Sequence, residues 1–172
     1  AQNLGAGKPE RIRKGTLQAL IMMVIIAALD VGAGLLLSRG GFYLKIFLSA
    51  DKVTAETIRF GNSLLYVDFA MYLFLGCIFV VRNCVQGIGR SQFVLGAGAA
   101  ELVARVAACL LLPAAFAGGT VDANAPAIAF YALCAADPLA WMSSDAVLLV
   151  PFIRNILKMD YGYLNRCSGE HL

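Results

Sequence analysis

Four long apolar stretches alternate with shorter polar segments along this chain. A helix rises about 1.5 Å per residue, so roughly 20 apolar residues cross a hydrocarbon core about 30 Å thick. The length of the stretches, more than any periodicity within them, predicts an all-α membrane protein with four transmembrane helices. The predicted spans are residues 16–37, 62–85, 92–116 and 127–153, preceded by a polar segment at 1–15 and followed by a polar tail at 154–172.

Composition points to the same fold class. Apolar residues make up 60% of the chain and charged residues only 15%, and the mean hydropathy is +0.75. An ordinary soluble domain is about 45–50% apolar and about 25% charged. We therefore exclude a water-soluble fold.

The first two connections between the spans differ in character. Residues 38–61 predict an interfacial turn followed by a short amphipathic helix, for which Ser49 or Asp51 supplies the N-cap. Residues 87–90 predict a tight turn. Because that turn is so short, the second and third spans are expected to be adjacent and antiparallel.

The distribution of basic residues predicts the orientation, since cytoplasmic loops retain an excess of Lys and Arg. With four spans, the N-terminus, the 87–90 turn and the C-terminus lie on one side of the membrane, which holds more basic residues than the other. We therefore expect both ends of the chain in the cytoplasm and the protein in the inner (plasma) membrane. The basic residues of that side are Lys8, Arg11, Arg13, Lys14, Arg82, Arg90, Arg154, Lys158 and Arg166, and those of the other side are Arg39, Lys45, Lys52 and Arg59.

Motifs for catalysis, metal binding or nucleotide binding are missing from the sequence. The five cysteines form no CxxC pair and the single histidine, His171, is the penultimate residue, so neither a zinc site nor a disulfide framework is predicted. HExxH and GxSxG do not occur, and residues 5–8 lack the spacing of a phosphate loop. The basic residues lie between apolar stretches and not along one helix face, which excludes a nucleic-acid partner. We expect neither catalytic residues nor a cofactor.

Ionisable residues inside the predicted spans are the most informative feature. An ionised side chain at the centre of a bilayer costs at least about 2.5–3.5 kcal/mol, so such residues face a partner, the interior of a bundle or a water-filled cavity. Their number predicts a polar interior. They are Asp30, Asp68, Glu101, Arg105, Asp137 and Asp145.

These residues divide into structural groups and candidate cavity acids. Glu101 and Arg105 lie one turn apart at i and i+4, which favours a structural ion pair over a direct transport role. Asp68 has no such neighbour and is the best candidate to bind a proton or cation in a cavity, while its place near the start of its span is equally compatible with interfacial solvation. Asp30 is a second candidate for a cation or substrate cavity.

Asp137 is predicted to be a structural polar group. The proline that follows it removes a helix hydrogen bond and kinks the span. Such a kink frees carbonyl groups, which suits a transporter helix that moves and equally suits a static packing kink.

Four short motifs resemble, in order, those of the multidrug and toxin extrusion (MATE) transporters. The opening AQNLGAGKPERIRKG resembles the cytoplasmic loop before a membrane helix of that family. Residues 101–105 (ELVAR) resemble its ELxxR helix, and residues 136–141 (ADPLAW) resemble AEPLAW in its final helix, with Asp137 in place of Glu. Residues 82–91 (RNCVQGIGRS) resemble its RNxxQGxGRS turn, with matching residues that include Arg82, Asn83, Gln86, Gly87 and Gly89.

The resemblance covers nearly the whole chain and implies the ninth to twelfth helices of a twelve-helix transporter, within its C-terminal six-helix lobe. Because the sequence begins with Ala1 and not Met, we expect a fragment that is inactive without its N-terminal lobe. The implied activity is antiport, in which small amphipathic or cationic drugs leave the cell while Na⁺ or H⁺ enters. One branch of the family has a cation-coordinating Asp on the tenth helix, and alignment through the 87–90 turn places Leu75 there, about two turns from Asp68.

Two alternatives remain open at this point. The first is a flippase of a related fold that exports a lipid-linked precursor, which requires basic residues in a central cavity to hold a pyrophosphate. The second is a small four-helix scaffold or membrane-enzyme subunit that is complete as it stands.

Overall fold

The computed structural model describes residues 1–118, 121–122 and 125–158, and all regular structure in these ranges is helical. The expectations for Arg166, Cys167 and His171 lie outside the described residues, as does most of the predicted tail. Single-turn 3₁₀ helices cover Arg39–Gly41 and Ala50–Lys52, and a π-helix covers Ile153–Leu157. The α-helices are α1 (Gln2–Gly5), α2 (Pro9–Ser38), α3 (Leu44–Phe47), α4 (Ala55–Ala70), α5 (Tyr72–Gly87), α6 (Ser91–Ala117), α7 (Ala127–Leu133) and α8 (Ala136–Phe152).

Several helices are long and apolar enough to cross a membrane. In the part of the chain that the structure describes, three candidate spans are continuous, and the bent pair α4–α5 makes a fourth if it is counted as one span. The continuous ones are Pro9–Gly41, Ser91–Ala117 and Ala127–Leu157. The molecule is therefore an all-α protein with the features of a multi-pass membrane protein.

The helix of the first span is longer than its apolar stretch. Pro9 stands in the first turn of α2, where its missing N–H is no loss and its fixed φ suits a helix. The basic residues that follow are helical too, although we placed them in a loop. At the other end, Gly40 and Gly41 adopt φ values of 64° and 66°, a left-handed conformation that favours glycine and ends the span.

The second span differs from its prediction as a single helix over residues 62–85. It consists of α4 and α5, which meet at Met71 with a bend of 49°. The predicted amphipathic helix is not separate but forms the first turns of α4. Its N-cap is neither Ser49 nor Asp51 but Thr54, whose Oγ1 accepts a hydrogen bond from the Thr57 N–H at 3.1 Å.

A tight turn joins the second and third spans, as the sequence predicts. Helix α5 ends at Gly87 and α6 begins at Ser91, and Gly89 between them has a φ of 81°. Helix α6 ends where Gly118 adopts the left-handed conformation that commonly closes a helix.

The fourth span is interrupted one turn earlier than expected. Helix α7 ends at Leu133 and α8 begins at Ala136, so that Pro138 lies in the first turn of α8 and not at a mid-helix kink. Since proline has no N–H to donate to the carbonyl four residues earlier, the helix cannot continue regularly through Cys134. At its C-terminal end the helix runs on to Leu157, and Ile156 is fully buried. The polar tail therefore does not begin at residue 154.

Helix α8 occupies the centre of the bundle and α2 its edge. Helix α8 packs against both α5 and α6, whereas α2 packs mainly against α5. Buried residues make up 39% of the most apolar window of Ala127–Leu157 but only 6% of that of Pro9–Gly41. The buried core consists of Ile78, Val81, Val85, Ala97, Trp141, Leu148, Phe152 and Ile156.

Candidate functional site

Helices α5, α6 and α8 bring four charged side chains together inside the bundle. Arg82 of α5 contacts Glu101 of α6, with 3.0 Å between Arg82 Nη2 and Glu101 Oε2. Arg105, one turn further along α6, lies 3.3 Å from the other Glu101 oxygen through its Nη2. Its Nη1 pairs with Oδ1 of Asp137 at the start of α8. The four side chains form a continuous ion-pair chain in the order Arg82, Glu101, Arg105, Asp137.

The ion-pair chain balances its own charge. It contains two guanidinium groups and two carboxylates, and each carboxylate accepts from at least one guanidinium. The side chains are between 24% and 38% exposed, so they are partly but not fully removed from solvent. Pairing of this kind offsets much of the cost of placing charges in a membrane helix.

Ser144 extends the ion-pair chain deeper into α8. Its hydroxyl is fully buried and accepts a hydrogen bond from Arg82 Nη2 at 3.2 Å. Arg82 Nε, by contrast, is buried with no hydrogen-bond partner among the described residues. Asp145, the next residue of α8, interacts electrostatically with Arg82 without a direct ion pair between them in the described structure.

Asp68 lies beside the ion-pair chain without joining it. It is on α4, two residues before the end of that helix, and interacts electrostatically with Asp137 and Arg105. Its Oδ1 is buried and has no hydrogen-bond partner within the described ranges. Asp68 and Asp145 therefore add acidic groups next to an ion-pair chain that is already neutral. When all these groups are ionised, the cluster has an excess of negative charge.

Asp30 is not part of this cluster. Its side chain is exposed on α2 and lines a groove between α2 and α5. Asp68 instead interacts electrostatically with Arg105 of α6, with Cys134 between α7 and α8, and with Asp137 of α8. The structure thus separates the two candidate cavity acids that the sequence singled out.

The residues of the RNxxQGxGRS motif occupy the end of α5 and the turn after it, and they do different things. Asn83 donates from Nδ2 to the Phe79 carbonyl at 2.7 Å, while Gln86 is exposed. Gly87 ends the helix and Gly89 provides the left-handed turn conformation. Arg82, which we had counted as a topology signal, instead forms an ion pair in the bundle.

The i, i+4 pair of Glu101 and Arg105 was visible in the sequence, but the roles of Arg82 and Ser144 were not. A usable signal was available for Arg82. The short 87–90 turn makes α5 and α6 antiparallel neighbours, so a base near the end of one helix and an acid in the other are candidates for a pair. For Ser144 no such signal exists, because its contact depends on how α8 packs.

No three His, Cys, Asp or Glu side chains in residues 1–118, 121–122 and 125–158 come close enough to hold a metal ion. The cluster is thus described by its ion pairs and its unpaired acids.

Comparison of the chain with protein-family models, curated proteins and solved structures gives no match. The class of protein is therefore defined by the fold and the site alone: an all-α protein with apolar helices of membrane-spanning length and a partly buried cluster of charges between them.

Proposed function

We propose that this chain is part of a MATE-type multidrug antiporter of the inner membrane, which exports amphipathic or cationic compounds in exchange for Na⁺ or H⁺. Two things support this proposal: the resemblance of the four motifs, and the position of Asp68. Asp68 presents a buried carboxylate oxygen with no partner in the described structure, next to an ion-pair chain that needs no further cation. An acid in that position is free to take up and release a cation.

The physical basis of cation binding at Asp68 is its unneutralised negative charge. In a low-dielectric surrounding, an unpaired carboxylate is costly and gains from binding a proton, a sodium ion or an organic cation. Asp68 lies beside Asp137, which increases the local negative potential, while Arg105 is already held by Glu101 and Asp137. Asp68 is accordingly the proposed cation-binding residue, and the ion-pair chain is its structural support.

The ion pairs also bear on the flippase alternative. Holding a pyrophosphate requires guanidinium or ammonium groups that are free to bind phosphate oxygens. Arg82 and Arg105 both interact with Glu101, and Arg105 pairs with Asp137 as well. This arrangement favours antiport over a flippase.

The test is an efflux assay on the full gene that contains this sequence, expressed in a pump-deficient bacterium. Ethidium efflux is measured in Na⁺ buffer, in Na⁺-free buffer and at two external pH values. We expect efflux that depends on Na⁺ or on the proton gradient. Efflux in none of these conditions contradicts the drug-pump proposal.

The role of Asp68 is tested in the same assay. We expect Asp68→Asn to reduce coupled efflux at least about tenfold, because an amide cannot exchange a cation. Asp51→Asn is the matched control, since Asp51 is an exposed acid in the connection before α4 and lies outside the cluster. Unchanged coupling in Asp68→Asn removes this residue from the mechanism.

A further inference from the structure

A second feature of the bundle, away from Asp68, has the properties of a ligand site. A groove of about 430 Å³ runs between α2 and α5. Its volume falls within the range of about 300–1,000 Å³ that is typical of small-molecule sites. Most of its lining is apolar, with contributions from Met22, Met23, Ile26, Tyr72, Leu75 and Phe79.

One charged group lies in this apolar groove. Among the described residues that line it, Asp30 alone carries a formal charge. Its carboxylate is exposed, and within the described part of the chain no hydrogen bond or ion pair joins it to a neighbour. Asp30 stands eight residues before the end of α2, which is about 12 Å along the helix axis and thus inside the apolar part of the span.

An unpaired carboxylate at this depth is energetically unfavourable unless something neutralises it. No base of α2 or α5 does so: the basic residues of α2 are near its other end, at Arg11, Arg13 and Lys14, and Arg82 of α5 pairs with Glu101. A ligand that neutralises Asp30 is positively charged and reaches it through an apolar groove. An amphipathic organic cation meets both requirements.

The side chains around Asp30 suit such a ligand. Tyr72 and Phe79 supply aromatic faces, which attract cations and stack on aromatic rings. Met22 and Met23 are flexible and polarisable, as is common at surfaces that accept ligands of different shape. Gly76 leaves room for Met23 to lie across α5, since a Cβ at that position would be 2.7 Å from Met23 Cγ.

We propose that the α2–α5 groove binds an amphipathic organic cation, whose charge pairs with Asp30, at a site separate from Asp68. The inference rests on the proposed function for the class of ligand, and it adds where the exported compound binds. Asp68 does not line the groove, and its electrostatic neighbours are Arg105 of α6, Cys134 between α7 and α8, and Asp137 of α8. The compound and the coupling ion would thus occupy different acids.

The test is equilibrium dialysis of radiolabelled tetraphenylphosphonium against the purified chain in dodecyl maltoside, with protein-free micelles subtracted. We expect saturable binding that Asp30→Asn weakens about tenfold, the loss of roughly one ion pair. Asp30→Glu should retain affinity within about threefold. Asp51→Asn, an exposed acid outside both the groove and the ion-pair chain, is the matched control and should leave the affinity unchanged. Equal affinity of the parent chain and Asp30→Asn overturns the proposal, and equal losses in Asp30→Asn and Asp68→Asn overturn the separation of the two sites.

A second measurement does not depend on any variant folding. The parent chain should bind tetraphenylphosphonium at least about tenfold more tightly than tetraphenylsilane, a neutral molecule with the same four phenyl rings, a difference of about 1.4 kcal/mol. Equal affinities would mean that the groove accepts any apolar molecule, lipid included, and would overturn the proposal. The proposal would also be overturned if the parent chain were a dimer and the Asp30→Asn variant a monomer. The groove would then be covered by a second copy of the chain.

The outcomes distinguish this inference from the proposed function. Asp30-dependent binding without any efflux from the full gene contradicts antiport and leaves the site intact. If efflux is ion-coupled but Asp30→Asn does not weaken tetraphenylphosphonium binding, the groove proposal is contradicted and the antiport proposal stands.

Discussion

At the scale of single residues, Glu101 is the acid on which the ion-pair chain depends. Each of its two oxygens accepts from a different arginine, so it holds α5 to α6 through Arg82 and also fixes Arg105 within α6. Asp137 pairs with Arg105 alone. Removing the negative charge of Glu101 leaves two cations without a carboxylate between them, which is a greater loss than removing that of Asp137.

We therefore predict that Glu101→Gln lowers the free energy of unfolding by about 1–3 kcal/mol. This is less than the roughly 3–5 kcal/mol for breaking a fully buried pair, because these side chains are 24% to 38% exposed. Asp137→Asn should cost less than Glu101→Gln. The measurement is titration with sodium dodecyl sulfate, followed by the fluorescence of the single tryptophan, Trp141, which lies in the core.

Asp51→Asn serves as the control for this series and should change the free energy of unfolding by no more than about 0.5 kcal/mol, as is usual for exposed positions. If Glu101→Gln unfolds at the same detergent fraction as Asp51→Asn, the ion-pair chain contributes nothing measurable to stability.

At the scale of the elements, two glycines of α2 differ sharply in their surroundings. A Cβ on Gly34 would overlap the ring of Phe69 in α4, with Cε1 only 2.9 Å away. A Cβ on Gly32, two residues earlier, would meet nothing within 4 Å. Gly34 therefore permits the close approach of α2 to α4, while Gly32 has no packing role in the described structure.

The pair gives a matched prediction. Gly32→Ala should stabilise the protein by about 0.5–1 kcal/mol, since alanine has the higher helix propensity. Gly34→Ala should instead destabilise it by about 1–3 kcal/mol, because Phe69 must move. Both are measured by the same detergent titration. The double variant Gly34→Ala with Phe69→Leu should recover most of the loss, and equal effects of the two single alanines would contradict the close contact.

The elements also show what the sequence could and could not predict. Spans were predictable because the length of an apolar stretch is a local property. The helix starts were not predictable from the apolar pattern. Helices α2 and α4 begin in the polar residues 9–15 and 55–61, before their apolar stretches start. The bend at Met71 was missed as well, because neither proline nor glycine stands there.

The same distinction applies to the charged site. The ion pair of Glu101 and Arg105 lies within one helix and follows from its spacing. The contacts of Arg105 with Asp137 and of Arg82 with Ser144 join helices that are distant in sequence, so they depend on packing. The outward direction of Asp30 could not be predicted either, because α2 is apolar on nearly all its faces and its sequence marks no inner side.

At the scale of the whole molecule, the helices place particular residues at the same end of the bundle. Thr16 of α2 lies near the end of α5, with 3.5 Å between its Oγ1 and Cys84 Sγ, and the π-helix after α8 packs against both α2 and α5. At the opposite end, Phe60 of α4 and Phe130 of α7 have ring centroids 4.9 Å apart. The start of α2, the 87–90 turn and the end of α8 thus share one end, as four spans of alternating direction require.

This arrangement sharpens the prediction of orientation. Arg82 no longer counts as a loop charge, because it pairs with Glu101 inside the bundle. The end that holds residues 8–14 and Arg90, Arg154 and Lys158 still carries more basic residues than the end that holds Arg39, Lys45, Lys52 and Arg59. Because cytoplasmic loops retain an excess of Lys and Arg, that end should lie in the cytoplasm.

We predict that green fluorescent protein fused after Leu172 fluoresces in bacteria, and that alkaline phosphatase inserted in the connection between α6 and α7 is active, because the phosphatase folds only outside the cytoplasm. Replacing Lys8, Arg11, Arg13 and Lys14 by Gln removes the excess of basic residues at that end. Part of the protein should then insert in the opposite orientation, and both signals should decrease. An active phosphatase after Leu172 together with an inactive one between α6 and α7 would require the opposite orientation, and the groove at Asp30 would then open near the cytoplasmic face.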